Sequence, residues 1–98
     1  MKIEITEVQI YPVYGYNTIK AYAKIAINGC LIVKDIKVIN SEENNLFISM
    51  PSKKHNDHYY DIVHPADQET RKYIEDIIIS AYKKMMDAMK VQTIDKQN

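Results

Sequence analysis

Ninety-eight residues leave room for one domain. Thirteen basic residues balance thirteen acidic ones and there is a single cysteine, which excludes an internal disulfide scaffold and a uniformly basic nucleic-acid coat. A chain of this size buries roughly two-thirds of its unfolded surface. That supports one sheet-and-helix core and leaves little volume for a deep, water-excluding pocket, so neither an enzyme nor a small-molecule substrate is expected.

Glu4 and Glu7 interrupt the start where a signal peptide would be apolar, and no apolar run approaches the ~20 residues that span a bilayer. The expectation is a cytoplasmic protein with no membrane partner. Charge is unevenly distributed: residues 20–54 hold six lysines against three carboxylates, and residues 55–76 hold two cations against six. Any polyanion must therefore meet a local basic patch.

Taken in chain order, Ile5, Val8, Ile10 and Val13 read as an extended segment whose change of parity predicts a bulge. Pro12 places the segment at a sheet edge or marks a strand end. Gly15 and Asn17 mark a turn. Ile19, Ala21, Ala23, Ile25 and Ile27 alternate with Lys20, Tyr22 and Lys24, as in a half-buried strand with a basic, aromatic outer face. Asn28-Gly29 is a strong hairpin signal, because a type I′ turn needs positive φ at both central residues.

The returning strand spans Cys30 to Ile39. Leu31 and Val33 share one parity and Ile36 and Val38 the other, predicting a bulge near Lys34-Asp35 or burial of both faces. A polar loop follows, then a short strand at Leu46, Ile48 and Met50 stopped by Pro51. Ser52 to His58 reads as an exposed charged loop, and Tyr59 to Val63 as a brief edge strand ended by His64-Pro65.

From Asp67, a plausible N-cap, the pattern is helical. Ile74, Ile77, Ile78, Ala81, Met85 and Met89 form one apolar stripe, with Ile79 off it. Glu69 early, and Lys83, Lys84 and Lys90 late, complement the helix dipole. Glu75 and Asp76 fall on the polar side. The expected organisation is one domain over residues 1–91 and a disordered tail over 92–98. The fold class is α+β: a twisted antiparallel sheet of four to five strands with one long C-terminal helix packed on it. Apolar surface left uncovered, or a free edge strand, favours a homodimer.

Few residues suggest chemistry. His55, Asp57, His58 and His64 lack the pair spacing and thiolates of a zinc site. Ser52 with a nearby histidine and Asp61 lacks a nucleophile elbow, and the two glycines are isolated at turns, so no phosphate-cradling loop exists. No metal, cofactor or catalytic residue is assigned. The basic run Met50-Pro51-Ser52-Lys53-Lys54-His55 is different, because proline stiffens the strand exit and two ammonium groups follow at once, which suits phosphate contact. Arg71-Lys72 lies at a helix start, where the dipole disfavours cations, although Asp67 and Glu69 are near enough in sequence to pair with them.

Together these residues carry a pattern: Ile36-Lys37-Val38-Ile39, Asn45 through Lys54, Asp61-Ile62-Val63-His64-Pro65 and Thr70-Arg71. The pattern, from about Ile5 to about Lys84, resembles the SpoVG family of stage V sporulation and septation proteins. The resemblance implies a small bacterial regulator of gene expression that binds DNA, and in some members RNA, as a homodimer, linked to sporulation and cell division. It also implies that the basic pair after Met-Pro-Ser, here Lys53 and Lys54, meets nucleic acid, with the helix-start arginine at Arg71.

This chain departs from the family in carrying Lys-Lys where Lys-Arg is common, His55-Asn56-Asp57-His58 in place of a glycine-containing turn, and Gln9, Tyr11 and Pro12 in a strand often rich in arginine. Without the arginine fork, phosphate-dominated binding is favoured over base readout. The expected nucleic-acid contacts are Lys53, Lys54, Arg71 and Lys72, with Lys20, Lys24 and Lys34 as secondary contacts and Tyr22 placed to stack on unpaired bases. A protein-interaction module in septation, using a sheet edge or the region of Ile79, is the alternative.

Overall fold

The computed structural model describes residues 3–15, 17–42 and 45–97, with side chains through residue 89. Strands β1 (Ile5–Pro12), β2 (Ile19–Ile27), β3 (Leu31–Asn40) and β4 (Leu46–Ser49) form one antiparallel sheet in chain order, so β1 and β4 are its edges. Strands β5 (Ser52–His55) and β6 (His58–Asp61) make a separate two-stranded ribbon, and α1 (Gln68–Gln97) follows. This is the α+β architecture expected from the sequence.

The local causes are legible residue by residue. Asn28 and Gly29 have φ of 52° and 69°, and the Cys30 N–H closes the turn on the Ile27 carbonyl at 3.1 Å. A Cβ on Gly29 would meet open space, so only backbone conformation favours glycine there. Pro12 ends β1, an edge strand, where its missing N–H costs no ladder bond.

Register shifts at Ile5/Glu7 on β1 and opposite Ala23/Ile25 on β3 are the two expected bulges. The second sets Lys34 and Asp35 against Lys24, with Asp35 at φ 63°. It lets Val33 and Ile36, of opposite parity, face the same core. A third shift, at Ile19/Ala21, falls at Lys20.

The core lies between one face of the sheet and α1. Ile10, Ala21, Ala23, Ile25, Val33, Ile36, Val38, Ile48 and Met50 pack with Ile74 and Ile78. Ile25, Ile36, Ile48, Ile78 and Val38 are essentially without solvent contact, and each such side chain contributes about 1.5–3 kcal/mol by leaving water. The helix backbone comes nearest to the edge strands β1 and β4.

Asp67 caps α1: the Thr70 N–H donates to its Oδ1 at 2.7 Å, and the Arg71 N–H reaches its carbonyl at 3.1 Å.

Several expectations need correction. Ser52–His55 is a strand, not a loop: Asn56 and Asp57, with φ of 50° and 66°, make a tight turn that pairs it with β6. β6 stops at Asp61, leaving Ile62 and Val63 exposed. Ile79 packs against the core, whereas Ile77, though half-buried, is not among the residues that do so. Glu75 is half-buried rather than on a solvated face. The helix runs through residues 92–97, so Lys83 and Lys84 lie mid-helix, where the dipole gives them little. Among the described residues no helix is long and apolar enough to cross a membrane.

Candidate functional site

The β5–β6 ribbon stands apart from the main sheet, and Lys53 through Val63 are all exposed. Its register pairs Lys53 with Tyr60, Lys54 with Tyr59 and His55 with His58. Because side chains alternate along a strand, one face presents Lys53, His55, His58 and Tyr60, and the other presents Lys54 and Tyr59. The two lysines therefore project to opposite sides of a thin ribbon. Each has a tyrosine directly across.

The two faces differ electrostatically. Lys54 Nζ lies 6.0 Å from the centre of the Tyr59 ring and 3.9 Å from Asp57 Oδ1, so its charge is partly shared. Among the described residues, Lys53 makes no ion pair. Beside it the His58 and Tyr60 rings meet edge to face, with centroids 6.4 Å apart. The Asn56-Asp57 turn fixes this layout, and the Ile62 N–H extends the pairing to the Pro51 carbonyl at 2.7 Å.

The other expected contacts are dispersed. Arg71 Nη2 donates to the Ile48 carbonyl at 3.0 Å, which ties the guanidinium to the edge of β4. It also lines a shallow groove with Asp61, His64 and Asp67. Lys72 pairs with Asp76 at 3.2 Å, one helical turn away. Lys20, at the third bulge, lines a groove with Asn40, Leu46, Tyr82, Lys83, Met86 and Asp87. Lys24 and Lys34 do come together, on the sheet face that α1 leaves open, with Tyr11, Tyr22 and Asp35.

Sequence reasoning missed Tyr59, Tyr60 and Tyr11 as site residues. The signal for the two ribbon tyrosines was the Asn56-Asp57 dipeptide: a two-residue turn there sets Lys54 opposite Tyr59 and Lys53 opposite Tyr60. Among the described residues, no group of three or more His, Cys, Asp or Glu side chains is placed to hold a metal ion.

Hydrogen bonds from Thr70, first through its side chain and then its backbone N–H, hold the Asp67 carboxyl below its ordinary pKa. Both bonds favour the charged form.

The SpoVG family profile matches residues 3–84. The chain is 44% identical over 88 residues to a Bdellovibrio bacteriovorus protein named septation protein SpoVG, covering 89% of this chain and 80% of that one. It is 39% identical over 95 residues to the protein of that name from Acholeplasma laidlawii, covering 96% and 100%. A similarly named Archaeoglobus fulgidus protein is 40% identical over 80 residues, covering 81% and 93%. The matched span takes in the sheet, the ribbon and the first half of α1, and the chain belongs to the SpoVG family.

Proposed function

We propose that the protein is a nucleic-acid-binding regulator that grips phosphates through the β5–β6 ribbon. The observation that carries this reading is the layout of the ribbon: an exposed two-stranded element with a lysine and a tyrosine facing each other on both sides. A two-stranded ribbon is narrow enough to enter a major groove. Cations on both of its faces would then meet the phosphates that line the groove on either side. Lys53 and Lys54 are the principal contacts, and the tyrosines stiffen and flank them.

Arg71 and Lys72 take a lesser part in this reading than the sequence alone suggested, since one is tied to β4 and the other to Asp76. The protein would work in the cytoplasm as a homodimer. Titration of duplex DNA, single-stranded DNA and RNA at two salt concentrations tests the reading. Lys53→Ala/Lys54→Ala weakens binding across sequences; unchanged affinity would reject the ribbon as the site.

A second reading has its own support. Ile62 and Val63 beside the ribbon, and Leu31 and Ile32 at the start of β3, are exposed apolar groups, and the relatives are named for septation. A protein-interaction module in cell division would use such surfaces. Salt-insensitive capture of a protein partner, with no mobility shift on DNA or RNA, would favour it.

A further inference from the structure

The face of the sheet away from α1 carries two adjacent cross-strand rows. One is Tyr11–Tyr22–Lys37, and the other is Gln9–Lys24 with Lys34 and Asp35. Between them lies an open recess of about 270 Å³ lined by Tyr11, Tyr22, Ala23, Lys24, Lys34 and Asp35. The β3 bulge creates it, because two residues stand opposite Lys24 where a regular ladder has one. Tyr11 is 50% and Tyr22 37% exposed.

The Tyr11 ring is held in place. Its hydroxyl donates to Gln9 Oε1 at 2.6 Å, and the Gln9 amide donates to Glu7 Oε1 at 3.1 Å. This chain of bonds leans the ring along β1 and engages the Glu7 carboxylate. Among the described residues, Lys24, Lys34 and Lys37 make no ion pair, so their charges are available to a ligand.

We propose that this recess is a second contact for nucleic acid, specific for an unpaired strand: a base stacks on the tyrosine rings while its flanking phosphates meet Lys24 and Lys34. The proposal rests on the nucleic-acid reading above but uses the face of the main sheet away from α1 and a different form of ligand. A base offers its π-face only when it is out of a duplex, and aromatic platforms flanked by cations take such bases with little sequence preference. The carboxylate of Asp35 suits the amino edge of a base, as acidic side chains accept from cytosine N4. A second copy of the chain is a poorer fit, because a two-fold pairing centred on this recess would bring Lys24 and Lys34 against their own counterparts.

The test compares a fluorescein-labelled oligodeoxycytidine with a mixed-sequence duplex by anisotropy. Tyr11→Ala/Tyr22→Ala, checked for folding by circular dichroism, should lose about ten-fold in affinity for the single strand and keep its affinity for the duplex. Tyr22→Trp supplies the chain's sole tryptophan, and its emission should be quenched by the unlabelled single strand and not by the duplex. Wild-type affinity of the double variant for the single strand, or an unquenched tryptophan at saturation, overturns the proposal. Lys53→Ala/Lys54→Ala separates the two sites. If that variant loses the duplex while the tyrosine variant still holds the single strand, the ribbon reading stands and the recess falls; a wild-type protein that binds neither probe sinks both.

Discussion

The Arg71 guanidinium donates to the main-chain carbonyl of Ile48 at 3.0 Å, from a helix onto the free edge of a sheet. One turn later Glu75 Oε2 accepts the Ile48 N–H at 3.1 Å. The two side chains supply the hydrogen bonds that a neighbouring strand would make at this residue, and so block edge pairing there. At the other edge the Tyr73 hydroxyl accepts the Ile5 N–H at 3.1 Å. A single helix thus fastens both margins of the sheet, and a residue expected to meet ligand serves the fold.

Arg71→Ala should therefore destabilise the protein by about 1–3 kcal/mol, since it leaves the Ile48 carbonyl without its partner. Denaturant unfolding reads this directly, and Arg71→Lys should recover part of the loss. Duplex affinity should fall less than in Lys53→Ala/Lys54→Ala. Unchanged stability with a large loss of affinity would mean that Arg71 acts on the ligand instead.

Asp67→Ala should lower the midpoint of thermal unfolding near neutral pH by removing the cap on Thr70. The bonds from Thr70 hold the Asp67 carboxyl below its ordinary value, so the charged form favours folding. The benefit is complete above the unfolded-chain pKa, about 3.9, and is lost as pH falls through the lower folded-state value. The difference between wild type and variant should accordingly close in that acidic window; a difference that persists below it would point to another role for the side chain.

The helix positions offer a graded comparison. Ile78→Ala, at a site with no solvent contact, should cost about 2–5 kcal/mol. Ile79→Ala should cost less and Ile77→Ala least, because only the former packs against the core. Equal losses at Ile77 and Ile79 in denaturant titrations would contradict this placement.

How far the fold was legible follows from where burial imposed a pattern. β2 alternates because one face is dry, and the break in parity along β3 pointed to the Lys34-Asp35 bulge from sequence. The ribbon had no such imprint. Ser52–His55 and His58–Asp61 are solvated on both faces, so no apolar alternation separates them from a loop, and only Asn56-Asp57 hinted at the turn. The Ile77/Ile79 assignment failed because three consecutive isoleucines fit either side of a helical stripe, and Ile79, not Ile77, packs against the core. Lys53 and Lys54 stood out by their place after Met50-Pro51, but the expectation that both ammonium groups and Arg71 face one polyanion fails, because consecutive strand residues point to opposite faces and Arg71 is tied to β4.

Asp57→Gly tests the turn and the electrostatics of the ribbon together. Glycine adopts φ near 66° without the cost an aspartate meets there, and the change removes the carboxylate 3.9 Å from Lys54. Affinity for duplex DNA should rise, by less than roughly ten-fold, since an exposed pair is weak. A fall in affinity would show that Asp57 itself takes part in binding.

The salt dependence of duplex binding, measured in parallel for wild type and Lys53→Ala/Lys54→Ala, bears most directly on the ribbon. Each phosphate neutralised contributes about 0.9 to the slope of log affinity against log salt. Loss of both lysines should flatten that slope by roughly one to two units and weaken binding on every sequence tried. Identical slopes and affinities in the two proteins would contradict the account.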